Sequence, residues 1–373
     1  MNKNYFIIII FSLAILLGCK NKIDKNPTNT NNKEKISINI GDQERDMTFS
    51  FGKVRNSDRE RIWKKYKLYP KFKLGTFEDT TFLYPGRIKI DSDENIYVLD
   101  FMDISVKKFD NTGKFVEKYG KKGKGPGELI NPYDFDVFEN GEVVFLGLND
   151  NKFIVFNGKN TQELKNKFMP NRICFLSLNE VVTFQIMDPI ETSPFQKINF
   201  QNGIVTNMEN ILTDKSFGGK NFGMLPFLVG DLHRYDSNKL LYVSSILGYV
   251  VLYNTNNKIT NVFKLISEPQ ESLSETTKKN IYNKALISFP RQEEYLFESS
   301  GVYGDNLFIL VNPIRWSPQK YIVDIYSISQ GDYKYSLLFN ENSNLKEVFL
   351  TDDKIYLIKE NTEVVIFDYS IEN

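Results

Sequence analysis

Histidine is nearly absent: His233 stands alone in a chain of 373 residues. A multi-histidine zinc or manganese centre therefore cannot form. A hydroxyl or thiol nucleophile that needs an imidazole base has one candidate, and nothing in the sequence marks its partner. Cysteine is almost as scarce, with only Cys19 and Cys174. An excess of one charge is also missing, because 47 lysines and arginines balance 47 aspartates and glutamates. That balance removes the basic footprint of a nucleic-acid binder. The apolar run at the start, Tyr5 to Leu17, falls short of the roughly 20 residues a spanning helix needs. What the chain has in plenty is phenylalanine and tyrosine, 30 and 20 residues, which suit strands better than helices. Its length is ample for a large buried core.

Lys3 and the run that follows have the proportions of a signal-peptide core. The run ends in Leu16-Leu17-Gly18-Cys19, which resembles the lipobox of bacterial lipoproteins. The resemblance implies that Cys19 is lipidated and becomes the mature N-terminus, and two or more acyl chains would hold it stably in a membrane. Residues 1–18 are then a signal peptide. Residues 19–35, polar and asparagine-rich, form a flexible tether. Residues 36–67 are an N-terminal extension, and residues 68–373 are the folded body. With Cys19 lipidated no internal disulfide can form, and Cys174 in RICFLSL reads as an inert buried thiol. The acidic run that sends some lipoproteins to the cell surface is absent after Cys19, where KNK stands. This points to an outer membrane and a body facing the periplasm.

From Phe82 onward a unit recurs. FLYPGRIKID, NIYVLD, SVKKFD and KFVEKYG alternate apolar and polar residues and are separated by turn sequences such as SDEN and DNTG. Four short antiparallel strands in a row make one propeller blade. PYDFDVF, GEVVFLG, KFIVFN and ELKNKF repeat the order, and four more diverged units follow. Tyr97, Val144, Val182, Tyr242, Phe308 and Tyr356 mark equivalent strands at intervals of roughly 40 to 65 residues. Blade periods are about 40 to 50, so the longer intervals carry insertions. The last unit (LKEVFLTD, KIYLIK, EVVIFDY) lacks a fourth strand, and PKFKLGTF at Pro70–Phe77 is the candidate to supply it and close the ring. The expectation is all-β: a six-bladed β-propeller of four-stranded antiparallel blades, closed by an N-terminal strand. Before blade five, Ser274 and the apolar spacing of Ile281, Ala285 and Leu286 predict a short helix over residues 275–288.

The segment IKIDSDENIYVLD…VKKFDNTGKFVEKYGKKGKGPGEL resembles the NHL-type and related TolB-like bacterial six-bladed propellers, especially lipoproteins of that group, over Ile88 to Phe156. The resemblance implies the fold and an envelope location. It implies little about function, because one propeller scaffold hosts binding modules and unrelated enzymes.

GKKGKGPGEL, Gly120 to Leu129, poses the question of a phosphate cradle. Pro126 stands where a Walker-type loop needs lysine and has no N–H to offer, Glu128 replaces the third glycine of a dinucleotide loop, and a strand follows instead of a helix. The segment reads as a link between blades, with glycines supplying positive φ.

In a propeller the links between blades and the turns between second and third strands gather on one face around the channel. That face collects Asp103, Asp150, Asp188 and Arg291 around Arg315-Trp316 in NPIRWSPQ. An indole and a planar cationic fork suit a sugar, a peptide or a carboxylate. No spacing defines a metal site, although calcium on Asp and Asn oxygens fits the loop composition. Two function classes follow. One is a non-catalytic ligand- or protein-binding lipoprotein for a small molecule, glycan or peptide. The other is a carboxylate- or calcium-dependent hydrolase or lyase at the channel mouth.

Overall fold

The computed structural model describes residues 19–20, 35–40, 43–51, 54–55, 60–75, 82–147, 152–158, 160–165, 170–185, 193–211, 229–237, 239–266, 295–312, 320–340, 344–359 and 363–372. Cys19–Lys20 (β1), Lys35–Ile40 (β2) and Gln43–Thr48 (β3) form a small antiparallel sheet. Tyr66–Leu74 is β4. Blade 1 is Pro85–Ile90 (β5), Ile96–Asp100 (β6), Ser105–Phe109 (β7) and Phe115–Tyr119 (β8). A two-residue parallel pair, Lys121–Lys122 (β9) and Glu128–Leu129 (β10), occupies the link to the next blade. Blade 2 is Pro132–Val137 (β11), Val143–Gly147 (β12), Lys152–Asn157 (β13) and Asn160–Lys165 (β14). Blade 3 is Pro170–Ser177 (β15), Glu180–Gln185 (β16), Phe195–Asn199 (β17) and Val205–Asn207 (β18). Blade 4 is Gly230–Tyr235 (β19), Lys239–Ser244 (β20), Tyr249–Tyr253 (β21) and Ile259–Lys264 (β22). Blade 5 is Phe297–Tyr303 (β23), Asn306–Val311 (β24), Lys320–Ser327 (β25) and Asp332–Asn340 (β26). Blade 6 takes Leu345–Leu350 (β27), Lys354–Lys359 (β28) and Val364–Ile371 (β29) from the C-terminus and β4 from the N-terminal side.

The ring closes as the missing fourth strand requires. β4 pairs antiparallel with β29 from Val364↔Leu74 to Ile371↔Tyr66. The closing strand starts at Tyr66 rather than Pro70, because Tyr66 and Leu68 also pack against the apolar core of blades 5, 6 and 1. The predicted helix before blade five lies outside the described residues.

Burial follows strand order. Second strands such as β6 and β12 are buried throughout because they lie between neighbouring blades. Fourth strands such as β8 and β14 are largely exposed and carry the charges. Apolar clusters fill the wedges between adjacent blades, for example Tyr97, Val106, Phe135 and Phe145 between blades 1 and 2. The six first strands neighbour one another in sequence order around the axis, with β27 returning to β5.

The extension before β4 is a girdle rather than a plain lead-in. Phe49 and Phe51 are buried against Tyr249 of blade 4. The Ser50 N–H donates to Ile211 O, and Arg55 exchanges backbone hydrogen bonds with Val262 and Lys264 of β22. Arg61 then grips Asp324 of blade 5, and Lys64 N and Ser336 O continue the contact along β26.

The GKKGKGPGEL link has filled its own cradle. The Gly125 N–H donates to Glu128 Oε2 at 2.8 Å, and Lys121 Nζ lies 3.0 Å from Oε1. The Gly125 N–H, followed by Lys121, holds the Glu128 carboxyl below its ordinary pKa. Gly120 has φ 77°, and a Cβ there would meet the Phe145 ring at 2.7 Å, so both backbone and space demand glycine. The segment is a blade link whose anion slot holds a side chain of the same loop.

Candidate functional site in the axial channel

Five first strands carry a bulge or register shift at their second position, between Pro85/Arg87, Pro132/Asp134, Pro170/Arg172, Phe297/Ser299 and Leu345/Glu347. A bulge re-aims the residue that follows it. In each of these strands the residue after the shift is polar or charged, and the ring gathers these residues about the axis.

Their contacts knit the blades together. The Ile173 N–H donates to Asp134 Oδ2 at 3.0 Å and the Phe175 N–H to Asp136 Oδ2 at 2.8 Å, so two carboxylates of blade 2 clamp the backbone of blade 3. The other oxygens face blade 1: Arg87 Nε is 3.3 Å from Asp134 Oδ1, and Lys89 Nζ is 3.3 Å from Asp136 Oδ1. Arg172 Nε donates to Asp231 Oδ1 at 2.9 Å, linking blades 3 and 4. The Ser300 hydroxyl of blade 5 donates to Asp231 Oδ2 at 2.9 Å, and His233 Nε2 lies 2.8 Å from the same Oγ. Burial alone would raise the Asp231 carboxyl, but Arg172 and Arg87 hold it below its ordinary pKa, so it is an anion. Ser300 has one proton, and the anionic Asp231 takes it. His233 must then donate from Nε2, which fixes the neutral Nε2–H tautomer. Burial, aided by Lys89, pushes this imidazole down to about 3. A Ser300 hydroxyl committed to a carboxylate is not activated by the imidazole, so the trio does not supply a serine nucleophile. Among the described residues no group of three or more His, Cys, Asp or Glu is arranged to hold a metal ion.

Glu347 of blade 6 is the channel's titrating group. Burial pushes its carboxyl up to about 7, against Arg87, Lys89 and the Ile88 N–H, while Asp231 adds to the rise. A carboxyl raised above its unfolded value stabilises the fold only where the unfolded chain would also be protonated. Its contribution is therefore lost as pH climbs from the ordinary glutamate range through about 7. Glu347→Gln should remove this loss, leaving the variant more stable than the parent at about pH 8 by on the order of 2 kcal/mol and close to it near pH 4. Urea midpoints at both pH values check this, and parallel pH slopes for the two proteins would contradict it.

The residues picked out from sequence fare unevenly. Asp103 sits in the β6–β7 turn, accepting hydrogen bonds from Ser105 Oγ at 2.8 Å and Lys118 Nζ at 3.1 Å, with Lys107 Nζ 3.1 Å away. Lys107 also bridges to the fully buried Asp100 at 3.0 Å, and Asp100 takes the Leu83 and Tyr84 N–H groups. Asp103 is thus tied into the blade 1 entry. Asp150, Asp188, Arg291, Arg315 and Trp316 lie outside the described residues. His233 is on the first strand β19, as GDLHRYD implies, and Cys174 is buried with its thiol pushed up by burial. The charged channel residues were missed, although Arg87-x-Lys89, Asp134-x-Asp136 and Asp231-x-His233 each put polar groups at alternate positions of otherwise apolar strands.

On the link face beside Asp103, Leu83, Tyr84 and Met102 are exposed at 51%, 45% and 67%. Lys346 Nζ lies 3.6 Å over the Tyr84 ring and has no hydrogen-bond acceptor among the described residues.

With this geometry the profile of one family, DUF5128, described as a 6-bladed beta-propeller, agrees over residues 69–258. The chain belongs to that family. The match takes in most of the closing strand, blades 1 to 3 and most of blade 4. No curated protein matches. Among solved structures, a Bacteroides fragilis protein provisionally described as exported is similar at 12% identity and TM-score 0.56, over 86% of this chain and 99% of that one. A Bacteroides vulgatus member of the duf4221 family is similar at 11% identity and TM-score 0.55, over 83% and 99%. At such identities these relatives share the fold with this DUF5128 propeller and nothing finer.

Proposed function

We propose that this DUF5128 propeller is a lipid-anchored envelope protein that binds a ligand on its link face without transforming it. The carrying observation is the exposed patch of Leu83, Tyr84 and Met102, with the Lys346 ammonium held over the Tyr84 ring. Exposed apolar and aromatic side chains, one of them held by an ammonium over its ring, offer contact area in a fixed geometry, an element of a recognition surface. The proposed site also takes in Arg315 and Trp316, from the segment of sequence between β24 and β25, and Asp103, Asp150, Asp188 and Arg291. The ligand class is a small molecule, glycan or peptide. The description of one similar structure as exported agrees with an envelope location, and the Leu-Leu-Gly-Cys19 sequence supplies the anchor.

Fatty-acid labelling in cells should tag the protein and Cys19→Ala should remove the tag; a tag that survives the substitution defeats the anchor. Calcium separates binding from the hydrolase or lyase alternative. Adding Ca2+ to the purified protein should leave its melting temperature unchanged, whereas a saturable rise would favour a calcium-dependent enzyme.

A further inference from the structure

We infer that the opposite end of the axial channel is a second binding site, which takes a small 2-hydroxycarboxylate. First strands start at the link face and run away from it, so their C-terminal ends open toward the turns between first and second strands. A cavity of about 90 Å3 lies there, lined by Lys89, Asp136, His233 and Arg234 among the apolar Ile90, Val137, Val302 and Phe349. This is room for several water-sized groups rather than one.

The lining specifies its occupant. Lys89 touches Asp136 at 3.3 Å, and no other partner of its ammonium is described. Asp136 is already shared with the Phe175 N–H. Arg234 stacks over Phe138 with its guanidinium carbon 4.6 Å from the ring centre, and its carboxylate partner among the described residues, Glu139, is itself 62% exposed. Water screens an exposed pair of this kind and a ligand can displace it. Two cations at one cavity call for an anion, and a guanidinium favours a flat carboxylate. His233 adds the second determinant. With Nε2–H donated to Ser300, its Nδ1 is left as an acceptor, and His233 lines the cavity. An acceptor on a cavity-lining residue can take a hydrogen bond from a ligand donor. Lys89, Arg234 and the nearby Arg87 disfavour an ammonium donor, so a hydroxyl beside the carboxylate fits best. This site lies at the other end of the channel from the exposed Leu83, Tyr84 and Met102.

The lone histidine provides a reporter that no other residue can imitate. Titrating the 15N-labelled protein with sodium glycolate should move the His233 Nδ1 resonance saturably while Nε2 keeps its proton. Acetate, lacking the hydroxyl, should bind at least about tenfold more weakly, and glycine and inorganic phosphate should leave the signal in place. Lys89→Met should weaken glycolate at least about tenfold and Lys89→Arg should largely restore it; if Lys89→Met does not fold, the titration of the unaltered protein decides alone. An imidazole signal that ignores glycolate overturns the site. Glycine or phosphate acting as strongly as glycolate overturns the ligand class. Loss of the response in Met102→Ala would overturn its separation from the link face.

Discussion

Deleting residues through Leu74 is expected to abolish cooperative unfolding and drive the protein into aggregates. The deletion strips β29 of its partner along the whole Val364↔Leu74 to Ile371↔Tyr66 register. It also takes Leu74, Tyr66, Leu68 and Phe72 out of the core shared by blades 5, 6 and 1. What remains is an open ring ending in VVIFDYSI, an apolar strand with unpaired backbone groups, which is a template for association. A domain stable by about 5 to 15 kcal/mol does not survive the loss of a closing strand and part of one core. Deleting only through Lys35 leaves β4 and the Phe49–Arg61 contacts in place and should leave the melting temperature nearly unchanged. A rescue separates closure from the girdle contacts that the longer deletion also removes. Because Ile371 pairs with Tyr66, a short hairpin turn can join them, and a permutant carrying Tyr66–Leu74 after Ile371 should regain a cooperative transition. Circular dichroism melts and size-exclusion profiles are the measurements. A monomeric, sharply melting deletion product at the parent midpoint would show that the ring does not need this strand.

The blades were legible because each strand writes its own period of two and each turn its own residues. Asp110-Asn111-Thr112-Gly113 shows why: Asp110 Oδ1 accepts the Thr112 and Lys114 N–H groups, so the turn is specified within five residues. The closing strand was legible for a different reason, since an incomplete last blade demands a partner from elsewhere. The channel was not legible, because its groups meet only once the six first strands converge, and a single strand cannot reveal that convergence. Arg87, Asp231 and Glu347 come from blades 1, 4 and 6, far apart in sequence. The position of its turn on the link face makes Asp103 look like a ligand neighbour. The spacing Asp103, Ser105, Lys107 on one side of β7 already hinted at its local hydrogen-bond and ion-pair role. The girdle is not legible because residues 36–67 have no sustained period. The alternation Phe49-Ser50-Phe51 was its one signal, and both rings are buried.

The girdle's second anchor carries the other large expected effect. Arg61 meets Asp324 through two hydrogen bonds, Nε to Oδ1 at 3.0 Å and a second nitrogen to Oδ2 at 2.9 Å, and the Asp324 side chain is fully buried. Ser336 Oγ donates to the same Oδ1 at 2.5 Å, and the Tyr333 hydroxyl, which accepts the Ile62 N–H, completes the network. Burying a charge costs several kcal/mol unless its partner stays in place, so removing one partner is far worse than removing both. Arg61→Ala should therefore cost about 3 to 5 kcal/mol. Lys71→Ala, which breaks the half-exposed pair with Asp368, should cost less than about 1 kcal/mol. Adding Asp324→Asn to Arg61→Ala should recover part of the loss, because the neutral amide no longer demands a cation; the coupling in this cycle is the direct measure of the pair. Urea unfolding of the four proteins gives all the differences. An Arg61→Ala cost as small as that of Lys71→Ala would mean that Asp324 finds compensation without Arg61 and that the extension merely lies on blade 5 without holding it.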